Sequence, residues 1–159
     1  MKTPIYLLCA LLMSVSAAFA APVSAEQPLP TLTLQDQHGQ PWNVKADTRL
    51  VVFAAGRKPS NVVMEVLGSQ AKGFLESRQA VYLADMSRMP GFVTRTFALP
   101  ALRGQSFAVG VNLDDKQLAD WPRQEDAITL IRLEGGRVSS IAYAHTAAEL
   151  KTTLGITTP

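Results

Sequence analysis

Six apolar residues in a row, Leu50-Val51-Val52-Phe53-Ala54-Ala55, stop at Gly56 and lead into Arg57-Lys58-Pro59-Ser60-Asn61. A strand with one wet face alternates apolar and polar side chains. An unbroken apolar run bounded by turn residues is the pattern of a strand buried on both faces. Ser60 or Asn61 can cap a following helix, in which Val62, Val63, Val66, Leu67, Phe74 and Leu75 recur at helical spacing. The spacing predicts strand, turn and helix in that order.

The elements on either side extend the pattern. Thr31–Leu34 alternates and meets a turn at Asp36–Gln40, with Trp42 and Val44 beyond it, so a small hairpin opens the fold. Ala80–Ala84 is a second apolar strand, ending at Asp85, whose carboxylate is expected to cap the next helix. Ser87 and Pro90 read as the start of that second helix, with an apolar stripe of Phe92, Val93, Thr96 and Phe97, ending or kinking at Pro100. Phe107–Val111 is a short strand, and Asp114–Gln124 is a polar connection holding Trp121-Pro122. Ile128–Leu133, the turn Glu134-Gly135-Gly136 and Val138–Tyr143 form a hairpin. Thr146-Ala147-Ala148-Glu149 is a capping box that opens a last helix, which stops near Gly155. Strands alternating with helices predict an α/β fold: a mixed sheet covered by helices on both faces, with the hairpin as an N-terminal extension.

The first residues point to export. Met1-Lys2 precedes an apolar run from Ile5 to Ala20, and Ala18-Phe19-Ala20 is a small-x-small cleavage pattern. Residues 1–20 therefore read as a signal peptide, with cleavage as late as Ala25, and residues 26–159 as a single domain in the periplasm or outside the cell. The apolar run is short for a spanning helix and carries no stop-transfer charges, so no stable membrane anchor is expected after cleavage. The only cysteine, Cys9, lies in this leader, which leaves the mature chain without a thiol. A composition of 47% hydrophobic and 18% charged residues supports one ordinary core that needs no disulfide. The formal charge of +2 falls to +1 when Lys2 leaves with the signal, a balance that predicts no affinity for nucleic acid.

Few residues carry a chemical pattern. The two histidines, His38 and His145, have no partner at ligand spacing, so no metal site is expected. No Gly-x-Gly-x-x-Gly follows a strand, so no dinucleotide cofactor is expected either; a flavin or nicotinamide dehydrogenase is a remote reading. No Gly-x-Ser-x-Gly elbow presents a serine nucleophile. What remains is the turn itself. Helix N-termini favour anions, and Arg57 and Lys58 beside one would add charge. The candidate ligand-binding residues are therefore Gly56, Arg57, Lys58, Ser60 and Asn61. The bland reading is two cations solvated on a loop.

Taken together, Pro30-x-Leu32-x-Leu34-x-Asp36-x-x-Gly39, the strand ending Phe53-Ala54-Ala55-Gly56, and the closing Ile128–Leu133, Gly135-Gly136 and capped helix resemble thioredoxin-like proteins of the peroxiredoxin and cytochrome-maturation kind. The likeness spans nearly all of the mature chain. Within that superfamily the sequence looks most like small exported bacterial proteins that keep an Ala-Gly-Arg turn in place of the redox cysteines. The resemblance puts Arg57 where the attacking cysteine would be and Ser60 where the resolving one would be, with Pro59 retained between them. It also puts Ile128 where thioredoxins carry a cis-proline; a cis bond before a non-proline costs about 2.5–4 kcal/mol, so a trans bond is expected.

Two functions fit. One is an exported non-catalytic module that binds a partner protein, a peptide or a small anion. The other is an enzyme of oxidoreductase ancestry that uses the Arg57–Ser60 turn for chemistry other than thiol exchange. A flat apolar patch at the turn would favour the first, and a ligand-sized charged pocket with convergent titratable groups the second. Thiol exchange needs a thiolate. Purified mature chain is therefore expected to turn over a model disulfide no faster than a heat-inactivated control, and turnover above that control would contradict this reading.

Overall fold

The structure, a computed structural model, describes residues 22–157; the signal peptide read at 1–20 and Cys9 lie outside the described residues. The hairpin comes first, β1 (Leu34–Asp36) and β2 (Pro41–Trp42), followed by β3 (Leu50–Ala55), α1 (Arg57–Gly68), α2 (Phe74–Ser77) and β4 (Ala80–Asp85). Next come α3 (Gly91–Val93), a π-helical turn (Thr94–Ala98) and α4 (Leu99–Arg103). The chain closes with β5 (Val109–Asn112), β6 (Ile128–Glu134), β7 (Arg137–Ala144) and α5 (Ala147–Thr153). The strands form one seven-stranded sheet in the order β2-β1-β5-β4-β3-β6-β7. β4 runs parallel to both β3 and β5, and the remaining pairs are antiparallel. This is the mixed α/β sheet with an N-terminal hairpin that the sequence predicts.

β4 and β6 pair with the two edges of β3, apolar clusters cover both of its faces, and its side chains divide between them by the two-residue period of a strand. Leu50, Val52 and Ala54 join one apolar cluster with Val63, Val66 and Leu67 of α1, Leu75 of α2, Leu102 of α4 and Leu150 of α5. Val51 and Phe53 join a second cluster on the opposite face. That face differs from expectation. Its cover comes from Val23 and Leu32 near the N-terminus and from Leu118 and Trp121 of the 113–127 connection, with no helix residue among them. The polar look of that connection hid two anchors; Trp121 is buried with its ring edge-on to Phe53, centroids 5.3 Å apart.

Three boundaries also differ. α1 begins at Arg57, so neither Ser60 nor Asn61 caps it; Gly56 holds the N-cap position and the Ser60 hydroxyl donates back to the Gly56 carbonyl at 2.7 Å. The long helix expected over Val62–Leu75 is divided, α1 stopping at Gly68 and α2 resuming at Phe74. Pro90 occupies the N-cap position of α3 without any side-chain cap, and the Ser87 N–H donates to the Asp85 carboxylate. By contrast the Thr146–Glu149 capping box is present on α5, with the Glu149 N–H donating to Thr146 Oγ1 at 3.2 Å.

The apolar stripe assigned to Phe92 and Phe97 is corrected as well. These rings are 69% and 61% exposed, while Thr94 and Leu102 are buried instead. The helical period is interrupted close to Pro100. A proline inside a helix lacks its N–H, and its ring crowds the carbonyl four residues back. The turn just ahead of it opens to π-helical spacing, with the Leu99 N–H donating to the Thr94 carbonyl. Phe97 lies within this widened turn and Phe92 in α3 ahead of it, and both face solvent.

Candidate functional site

Parallel pairing brings Ala55, Asp85 and Asn112 side by side, at the carboxyl ends of β3, β4 and β5. In open α/β sheets that edge is where ligands bind. Gly56 turns the chain from β3 into α1 with φ 100 and ψ 174, a conformation that is essentially reserved to glycine. Arg57 and Lys58 are then the first two residues of the helix, and Pro59 follows without an N–H to leave unsatisfied.

The four side chains near this turn are not equivalent. Lys58 Nζ donates to Asp126 Oδ2 at 2.6 Å, and this hydrogen bond, followed by the Asp126 charge, raises its pKa above the ordinary lysine value. The pair is exposed and adds little stability, and it directs the Lys58 ammonium to Asp126. Asn61 is exposed on α1, and Ser60 is spent on the Gly56 carbonyl. Arg57 alone is an exposed cation with no ion pair among the described residues.

Asp85 does not cap α3. It is buried, and its Oδ1 accepts from Asn112 Nδ2 and the Ser87 N–H, each at 3.0 Å. Its Oδ2 faces Arg123 at 3.2 Å. Arg123 also donates to the Leu118 and Trp121 carbonyls and lies over the Phe53 ring, 5.4 Å from its centroid. One guanidinium thus neutralises the buried carboxylate and fastens the 113–127 connection to the end of the sheet. Arg123 is not marked in the sequence, because nothing in a loop of mixed charge shows which arginine turns inward.

Gly56, Arg57 and Asp85 line a groove of about 660 Å³ with Arg88 and Met89 from the segment that leads into α3 and Val93 from α3 itself. Arg123, Glu125 and Asp126 complete it from the connection. Of the five residues singled out from sequence, Gly56 and Arg57 line this groove, and Lys58, Ser60 and Asn61 do not. Arg88, like Arg57, makes no ion pair among the described residues. Two arginines are therefore open to a ligand, against one lining carboxylate, Glu125, that is also unpaired. Among the described residues no three His, Cys, Asp or Glu side chains gather to hold a metal ion.

No family model matches the sequence, and no curated protein is similar to it in sequence. Solved structures do match. A proposed thiol:disulfide interchange protein DsbE from Chlorobium tepidum superposes with a TM-score of 0.57 at 11% identity, covering 84% of this chain and 95% of that one. The chain has the thioredoxin-like fold. The peroxidoxin BcpB from Mycobacterium tuberculosis gives a TM-score of 0.55 at 16% identity over 84% and 96% of the two chains. A SCO1/SenC family lipoprotein from Bacillus anthracis str. Ames gives 0.51 at 14% over 82% and 94%. On this thioredoxin-like frame the turn after the central strand carries Arg57-Lys58-Pro59-Ser60, and every described peptide bond is trans, Ala127–Ile128 included.

Under the turn lies Tyr82 of β4. Its hydroxyl is fully buried and has no partner of normal hydrogen-bond geometry; Ser60 beside it already donates to Gly56. Burial pushes the phenol up to about 12, with Ser60 opposing the shift. A folded pKa above the ordinary value of about 10 leaves stability unchanged below pH 10 and removes it as pH rises from 10 towards 12. The difference is expected to reach about 2–3 kcal/mol at pH 12, at about 1.4 kcal/mol per pH unit. Urea unfolding at pH 8 to 12 of wild type and Tyr82→Phe is expected to show this extra alkaline loss in wild type alone. Parallel pH profiles would contradict it.

Proposed function

We propose that the mature chain is an exported, non-catalytic thioredoxin-like module that binds an anionic group at the groove beside Gly56 and Arg57. Export rests on the leader pattern at residues 1–20. The observation that carries the binding reading is the charge balance of the groove. Asp85 is already neutralised by Arg123, and Lys58 by Asp126, so Arg57 and Arg88 line a ligand-sized space without partners among the described residues. A guanidinium offers a planar set of donors that matches a carboxylate or phosphate oxygen pair.

A charged pocket of this size is also what the enzyme reading asked for, and its contents favour binding. Arginine stays protonated at any ordinary pH and cannot serve as a general acid or base. The Asp85 carboxylate is committed to three partners, and the Ser60 hydroxyl, committed to Gly56, has no base within its hydrogen bonds. The other lining carboxylates are Glu125 and the Lys58-paired Asp126, and no serine, threonine, cysteine or lysine lines the groove with them.

The test is titration of acetate and sulfate into residues 26–159, wild type and Arg57→Ala, followed by backbone NMR. Saturable shifts at residues 56–58 and 88–89 in the millimolar range are expected, weakened by added salt and lost in the variant. Equal responses in both proteins, or none in either, would return Arg57 to the solvated-loop reading.

A further inference from the structure

The geometry points to a polypeptide as the occupant of the groove: an extended acidic segment of a partner protein that sets a carboxylate on Arg57 and Arg88 and a large apolar side chain on Phe92 and Phe97. This deepens the anion reading above and rests on it.

The aromatic pair is the independent observation. Among the described residues three large apolar side chains are prominently exposed, and two of them, Phe92 and Phe97, stand together with ring centroids 6.1 Å apart at 83°. They follow Met89 and flank Val93, both of which line the groove, and Phe92 is four positions from Arg88. Phe97 lies within the π-helical turn Thr94–Ala98 and Phe92 in α3 just ahead of it, so both side chains project from helical backbone. Neither ring lines the groove itself, but Phe92 is next in the chain to Val93, which does. Isolated surface apolar residues need no explanation, whereas a paired aromatic platform beside two unpaired arginines presents two chemistries at once.

A free inorganic anion would engage the arginines and leave the rings in water. An uncharged apolar segment would cover the rings and leave two guanidiniums beside a dry contact, which is costly. A peptide with one acidic residue and, within about two to five residues, a phenylalanine or leucine satisfies both, since an extended chain advances roughly 3.3 Å per residue. Glu125 in the lining works against a polyanion such as nucleic acid and so favours a single carboxylate.

The experiment uses residues 26–159 and a capped peptide carrying one glutamate and one phenylalanine three residues apart, with glutamine-for-glutamate and alanine-for-phenylalanine controls and acetate alone. Calorimetry or NMR is expected to give the parent peptide at least tenfold higher affinity than acetate and either control. In the double variant Phe92→Ser/Phe97→Ser, peptide affinity is expected to fall to that of acetate, with acetate binding unchanged; both rings are exposed, so the fold does not depend on them. In Arg57→Ala/Arg88→Ala, both acetate and peptide binding are expected to be lost. Acetate binding with no gain from the peptide, or a gain that survives loss of the two rings, overturns the polypeptide inference and leaves the anion reading standing. Absence of acetate and peptide binding in wild type, or peptide binding indifferent to the arginines, overturns the anion reading itself.

Discussion

Asp85 is a carboxylate in an interior that would expel a lone charge, and much of the structure around the groove depends on how it is satisfied. Arg123 supplies the counter-charge, while Asn112 and the Ser87 N–H fill the remaining acceptor positions. Because Arg123 belongs to the 113–127 connection, meeting the needs of Asp85 brings Leu118 and Trp121 down on the second face of the sheet. That face has no helix to cover it among the described residues, so the connection is its roof. Removing one partner of such a pair leaves an uncompensated buried charge, which costs far more than the pair contributes.

The same arrangement decides what the groove can do. The thioredoxin-like frame delivers a turn at the carboxyl ends of parallel strands, where backbone and side chains converge. In this chain the turn holds no sulfur, and its buried acid is locked by an arginine. What it leaves open are Arg57 and Arg88, which have no ion-pair partner among the described residues. Recognition of an anion is the function we propose for such a site.

The central frame was legible because burial on both faces writes itself as an unbroken apolar run at β3, and because hairpins and the Thr146–Glu149 box have local chemistry of their own. The start of α1 lies four or five residues earlier than a cap at Ser60 or Asn61 predicts. Ser60 is a good cap by type, yet Gly56 in its positive-φ conformation turns the chain earlier, and a cationic first turn disguised the helix start. An inward stripe of Phe92, Val93, Thr96 and Phe97 assumes about 3.6 residues per turn throughout, and the π-helical turn Thr94–Ala98 interrupts that period. Arg88 and Arg123 could not be found at all. Arg123 gains its significance from Asp85 at a strand end 38 residues away in the chain, and Arg88 from lining the groove without a partner among the described residues.

The Asp85–Arg123 pair is the fastening of the groove, and a double-mutant cycle tests that role most directly. Unfolding free energies would be measured for wild type, Asp85→Asn, Arg123→Gln and the double variant at neutral pH. A coupling of about 2 kcal/mol or more is predicted, with each single change more damaging than an isolated loop substitution. Additive effects within about 0.5 kcal/mol would show that the two side chains act independently, and would contradict it.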